Sequence, residues 1–288
     1  ATGSDNIGIG KWAGRGMGQS SAPYASGYRN IAVGTQANYY LSTGEDNIGI
    51  GHNANYENRV GSDNVSMGSY AGYHLRGNGS TAIGYESSRY ASGSSNAFLG
   101  YRAGRGGTTS APYSSGEANT AVGYESLYSF TTGYNNTVMG YKAMYAATTG
   151  YENIAIGNNA MRYLTTGAWN VSIGINSGPN SMGSRIVAIG ELAGRFNKGV
   201  GNVHIGYRAG FQVSGSHNIT IGHQAGYGGT SSAPYSTGTN NIGIGQSAIS
   251  AFTTGYNNVA VGGNAGSGIS TGAKNTLIGA SAGRYFDK

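Results

Sequence analysis

The sequence predicts an all-β fold, a parallel β-solenoid of about 16 coils of 16–17 residues, and three observations carry that prediction. One block, Gly-x-x-Asn-Φ-x-Φ-Gly-x-x-Ala with Φ usually Ile or Val, returns sixteen times from end to end. A fixed short period means one structural unit stacked on itself. Glycine supplies 54 of 288 residues, but with only 4 prolines and no three-residue period the chain is not collagen-like. β-branched residues recur at fixed places while charged residues make up 10%, a pattern unlike that of disordered chains.

Each element of the block has a physical reason. The two glycines are expected at corners with positive φ, which bulkier residues would strain. The Asn is present in 14 of 16 copies, with Ser80 and Ile186 as the exceptions. Asn tolerates the left-handed region and bonds nearby backbone; stacked, its amides form a ladder. Asn136, Gly140, Asn153 and Gly157 mark these structural positions in two successive copies, residues 133–143 and 150–160. The Φ-x-Φ stretch alternates with period two and reads as a short strand. Its two Φ residues, such as Ile31 and Val33, Ile154 and Ile156, or Ile242 and Ile244, share a face that is expected to line the coil interior. The middle x points the other way and is Gly, Ala, Ser or Thr in 12 of 16 copies, the exceptions being Phe98, Val138, His204 and Leu277. Small residues in file are expected where another backbone approaches, here a subunit contact in a homotrimer; a merely thin surface is the alternative. A trimer of that kind would bring three copies of His204 near its axis, as a metal or anion site or as a stacked, unliganded ring.

The block never changes length. All slack lies between its Ala and the next Gly, so chain 1–288 reads as a single repeat domain with longer insertions at 14–26, 104–115 and 226–237. Each insertion contains Ser-Ala-Pro-Tyr, with Tyr24, Tyr113 and Tyr235. Such loops are the usual place for function. They read either as receptor- or glycan-contacting fingers or as flaps that pack the tyrosine over a neighbouring coil; their near-identity favours the flap.

In-register coils place equivalent residues about 4.8 Å apart. Two residues after the closing Gly, four consecutive coils give Glu86, Arg102, Glu125 and Lys142, an alternation of charge suited to stacked neighbours. One position earlier the same coils give Tyr85, Tyr101, Tyr124 and Tyr141. With Arg102 and Arg208, this tyrosine file is a candidate glycan or receptor contact, since tyrosine offers a ring face and a hydroxyl. The same residues also suit a purely structural cross-rung ladder.

Composition excludes much else. There is no cysteine, hence no disulfide framework. No run of 18 apolar residues occurs, so no membrane insertion is expected. The net charge of +6 comes from cations scattered over the chain, which do not form the stripe that nucleic acid requires. Eleven carboxylates and five histidines offer no evident catalytic set; Glu45, Asp46, Asp63, Glu117 and Glu125 are the nearest to the paired carboxylates of a polysaccharide-cleaving fibre. No cofactor, metal or catalytic residue is expected. The start at Ala1 reads as that of a mature product or an excised segment.

Residues 153–160, Asn-Ile-Ala-Ile-Gly-Asn-Asn-Ala, resemble the head repeats of YadA-like trimeric autotransporter adhesins, and residues 131–143, Thr-Thr-Gly-Tyr-Asn-Asn-Thr-Val-Met-Gly-Tyr-Lys-Ala, resemble repeats of phage tail-fibre proteins. The resemblance covers almost the whole chain, although these coils are longer than those of adhesin heads. It implies a left-handed β-roll, a homotrimer, an extracellular or virion-surface location, and attachment to a host cell-surface polysaccharide or receptor. No functional residues carry over from either family. The expected function is a noncatalytic adhesive fibre segment; a self-assembling structural filament subunit and a polysaccharide-depolymerising fibre are the alternatives.

Overall fold

The computed structural model describes residues 3–16, 26–179, 182–229 and 235–285. Among the described residues the chain is all-β, with sixteen parallel three-residue strands forming a β-solenoid. It divides into two compact units, residues 1–150 and 151–288. The first holds β1 (Ile7–Ile9), β2 (Ile31–Val33), β3 (Ile48–Ile50), β4 (Val65–Met67), β5 (Thr81–Ile83), β6 (Ala97–Leu99), β7 (Thr120–Val122) and β8 (Thr137–Met139). The second holds β9 (Ile154–Ile156), β10 (Val171–Ile173), β11 (Val187–Ile189), β12 (Val203–Ile205), β13 (Ile219–Ile221), β14 (Ile242–Ile244), β15 (Val259–Val261) and β16 (Thr276–Ile278). Within each unit every strand pairs in register with the next. Val65 meets Thr81 in the first and Val171 meets Val187 in the second. The longer loops do not disturb this register: β6 and β7 pair as Ala97–Thr120 across an insertion.

The interior is the reverse of the sequence expectation. The middle residue x faces inward and the Φ residues face out. Ala155 is fully buried, whereas Ile154 beside it is 40% exposed, and Ala82, Phe98, Ala121, Ala188 and His204 are likewise buried. Small x residues therefore belong to the core of their own coil and are not a subunit contact. The reason is width. A coil of 16 or 17 residues encloses a narrow interior, and the residue six positions after x shares that space. The bulkiest x residues are met by glycine: a β-carbon at Gly104 would collide with the ring of Phe98, and one at Gly210 with the ring of His204, whereas Val138 faces Met144. Some small x residues are met by larger partners, while others, such as Ala188 and Ala260, face the glycines Gly194 and Gly266. Ala121 lies opposite buried Leu127, and a β-carbon at Gly243 would strike Ile249. In the first coil both positions are glycine, Gly8 and Gly14, and a cavity of about 240 Å³ remains there.

The corners also differ from expectation in detail. The closing glycines do have positive φ, from 119° at Gly10 to 136° at Gly140. The first glycine of the block does not. It is required because the next coil passes too close for a side chain: a β-carbon at Gly116 would overlap the carbonyl oxygen of Gly133, and one at Gly215 that of Gly238. Nor is the block's Asn left-handed. The left-handed residue is the one before it, such as Asp46 (φ 55°) ahead of Asn47, or Asn240 (φ 56°) ahead of Asn241.

The amide ladder is present and buried. Asn47 donates from Nδ2 to Asn30 Oδ1 at 3.1 Å and to the Gly61 carbonyl at 2.8 Å, while its backbone N–H donates to the same Oδ1 at 2.9 Å. The pattern recurs at Asn119, Asn136, Asn170, Asn241 and Asn258. Ser80 keeps the chain going, since Asn96 N–H donates to its hydroxyl at 3.1 Å. Where Ile186 interrupts, Asn202 turns its Nδ2 to Asn197 Oδ1 at 3.1 Å. The ladder thus satisfies polar groups that a narrow coil cannot expose to water.

His204 sits inside β12, fully buried. Its Nδ1 lies 2.7 Å from Thr220 Oγ1 and its Nε2 2.7 Å from Asn197 Nδ2. It is therefore enclosed within one chain, away from any subunit axis. Burial lowers its pKa to about 3, so the ring is neutral and accepts from the Asn197 amide. An imidazole held below its ordinary value near 6.5 contributes full stability above that pH. Stability is lost as pH falls from about 6.5 towards 3, by ~1.4 kcal/mol per pH unit for one proton taken up on unfolding. His204→Gln is expected to flatten this slope, read from chemical denaturation at pH 4.5 and pH 7. An unchanged pH difference in the variant would show that other groups set it.

Candidate functional site

The four predicted tyrosines form a continuous stack in the first unit. Tyr85–Tyr101, Tyr101–Tyr124 and Tyr124–Tyr141 have ring centroids 5.4, 4.9 and 5.2 Å apart and planes within 16° of parallel. In-register coils enforce the spacing, and its consequence is chemical. Each inner ring spends both faces on its neighbours, so a sugar meets hydroxyls and ring edges there rather than open faces. Glu86 raises the Tyr85 phenol pKa above its ordinary value, and partial desolvation followed by Glu125 does the same for Tyr124. Both stay neutral donors.

The charge file beside it is also real. Arg102 Nε donates to Glu86 Oε2 at 2.8 Å, Arg102 also lies 3.7 Å from Glu125, and Lys142 Nζ lies 3.4 Å from Glu125. Glu86 is nearly buried and takes Arg89 and Arg105 as well. Burial alone would raise its pKa, but the arginines outweigh burial and hold the carboxyl below the ordinary value. These cations are thus largely neutralised by their own coil neighbours. Arg208 stacks over Tyr207 at 5.1 Å and over Phe211 at 5.8 Å, with a buried Nε that has no hydrogen-bond partner.

A second aromatic column was not evident in the sequence. It lies at the fifth residue after the closing Gly. Tyr39–Tyr56 and Tyr56–Tyr73 stack at 5.2 and 4.8 Å, and Tyr128–Tyr145 at 4.9 Å. Arg89 and Arg105 occupy the rungs between, with Arg89 over Tyr73 at 5.8 Å and Arg105 over Tyr128 at 5.2 Å. The signal was available as a fixed offset, but alternation of Tyr with Arg hid it, because guanidinium and phenol rings substitute for one another in such a stack.

The inserted loops pack as flaps where they are described. Tyr113 stacks on His74 at 3.9 Å, and Tyr235 on Phe196 at 4.9 Å. Ser114 Oγ accepts from Gly107 N–H at 3.0 Å, as Ser236 Oγ does from Gly229 N–H at 3.0 Å. Tyr24 and most of the first insertion lie outside the described residues, as does part of the third. A cleft of about 340 Å³ lies beneath the second loop, between Pro112, Arg76 and Thr132. His74 contacts Glu57 at 2.8 Å, and burial lowers its pKa despite that carboxylate.

The remaining carboxylates named from the sequence do not converge. Glu45 and Asp46 pair with Arg29 at 3.5 and 2.6 Å, while Glu125 belongs to the charge file. Among the described residues no cluster of three His, Cys, Asp or Glu side chains is arranged to hold a metal, and no helix is long and apolar enough to cross a membrane.

The outer face of the strands carries exposed Ile83, Leu99 and Met139 in the first unit, and Ile154, Ile173 and Ile244 in the second. Comparison with protein-family models, with curated proteins and with solved structures returns no match.

Proposed function

We propose that the chain is a noncatalytic segment of a homotrimeric extracellular fibre, a left-handed β-roll like those of phage tail fibres or adhesin heads, which presents a multivalent surface to host-cell glycans or receptors. The observation that carries this reading is the outward apolar face. Rows of exposed or half-buried Ile, Val, Leu and Met on successive strands are the kind of patch that soluble chains cover by association. The stacked tyrosine and charge columns follow the closing glycine, past the end of each strand, and copies meeting through their strands would leave them outward. Trimerisation, handedness and host attachment rest on the resemblance of the repeats together with that face.

The mass in solution tests the reading. A discrete species of three times 29.4 kDa, constant over a hundredfold range of concentration, supports it. Monomer throughout sinks it. Polymers that lengthen with concentration point instead to a structural filament. Labelled trimer should then decorate cells bearing the receptor without releasing reducing ends from their capsule.

A further inference from the structure

We infer that the cleft beneath the second Ser-Ala-Pro-Tyr loop is a binding site for one carboxylate-bearing pyranose residue of an acidic glycan; this rests on the adhesive reading above and gives it a ligand class. The second loop provides the geometry. The cleft of about 340 Å³ is floored by Ala111, Pro112 and Tyr113 and is rimmed by the hydroxyl-bearing Ser92, Ser115, Thr131 and Thr132, with Arg76 at its edge. An apolar floor with hydroxyls at its rim is the chemistry of a pyranose site; Ser92 and Thr131 donate their own protons to the Ser114 and Thr148 carbonyls and offer lone pairs as acceptors. No acidic residue lines it. Arg76 is held in place from behind, by Glu57 at 3.3 Å and by the Tyr113 ring at 5.5 Å. It remains partly exposed, and a guanidinium has five N–H donors. One face is therefore left for a bidentate carboxylate.

The chain repeats the arrangement, and the repeat is the second, independent observation. The eighth residue after the closing Gly is Ser or Thr in ten of sixteen coils and is basic in three, Arg59, Arg76 and Lys198. Arg76 and Lys198 lie in the coils that receive Tyr113 and Tyr235: Tyr113 stacks on His74, two residues before Arg76, and Tyr235 on Phe196, two residues before Lys198. The sequence supplies the same partners at both places: Ser92 and Ser214, Thr131 and Thr253, Thr132 and Thr254. A flap that merely packed would not need the hydroxyl column to turn basic under it. The same arrangement gives a reason for the second and third loops to be near-copies.

The test is calorimetric titration of the full chain with trigalacturonate and with its fully methyl-esterified form, and with sialyllactose against lactose to separate ring-carboxylate sources. The acid is expected to bind at least tenfold more tightly than the ester. Arg76→Gln combined with Lys198→Gln is expected to remove that preference, and Arg76→Lys to retain most of it. Unchanged melting temperatures are expected, which would show that the loops still pack. Equal affinity for acid and ester, binding of neither acid, or an acid preference that survives the double variant overturns the cleft. In each of these cases, attachment of the same protein to host cells, measured separately, shows whether the adhesive reading stands without it.

Discussion

Asn241→Ala is expected to lose roughly 3–5 kcal/mol of stability, far more than the removal of one polar side chain from a surface. Asn241 is fully buried. Its Nδ2 donates to Asn218 Oδ1 at 3.1 Å and to the Gly255 carbonyl at 2.8 Å; its Oδ1 accepts from Asn258 N–H at 3.1 Å and Asn258 Nδ2 at 3.0 Å. Alanine leaves the Gly255 carbonyl and the Asn258 N–H without partners in a place water does not reach, at about 1–3 kcal/mol for each orphaned group. Asn241→Ser should cost less, because Ser80 shows a hydroxyl carrying the ladder through one rung. In a stacked repeat the damage stays near the lesion. Amide exchange should therefore rise first between residues 218 and 275, and denaturant midpoints measure the total. A loss below about 1 kcal/mol would mean that the ladder is decoration.

The second large effect concerns association. Ile83 and Leu99 are paired across β5 and β6 and both point outward. Replacing both by lysine places like charges on adjacent rungs of the apolar face. The fold should survive, since neither side chain enters the core, and far-UV dichroism should match that of the parent. The proposed trimer should not survive: dissociation at least a hundredfold easier, or about 2.7 kcal/mol, is expected by sedimentation. Retained trimer with both lysines in place would move the subunit contact elsewhere on the coil.

Much of the architecture was legible because a repeat states its own geometry. Sixteen copies at a near-constant interval gave the solenoid, the register and the column of Tyr85, Tyr101, Tyr124 and Tyr141. The error at Φ and x has a definite source. Period-two alternation separates two faces of a strand but does not say which is inside, and hydrophobicity then suggests the wrong one. In a coil this narrow, volume decides, and alanine fills the interior while isoleucine is turned out. The left-handed residue ahead of the block's Asn was illegible for a related reason: Asp46, Trp169 and Lys274 all occupy it, so no residue type marks it. His204 was misplaced along with its face. Arg76 went unnoticed because its meaning depends on Tyr113, which is 37 residues away in sequence and reaches it only by folding back across two coils.

The match between x and the residue six positions later has a consequence for how such a chain grows. Phe98 with Gly104, Thr220 with Gly226 and Leu277 with Gly283 are each matched in size inside a single coil. A duplicated segment of DNA encoding one coil therefore carries its own complement, and the array lengthens in register without a compensating change elsewhere. Exceptions mark boundaries to that freedom. His204 also presses on Gly194 in the preceding coil, and Phe98 touches Phe130 at 5.5 Å, so cuts made between those coils separate partners. Gene rearrangements in such arrays should tolerate breakpoints between self-contained coils and avoid junctions crossed by such contacts, which also include His204 with Thr220 and Leu277 with Gly266.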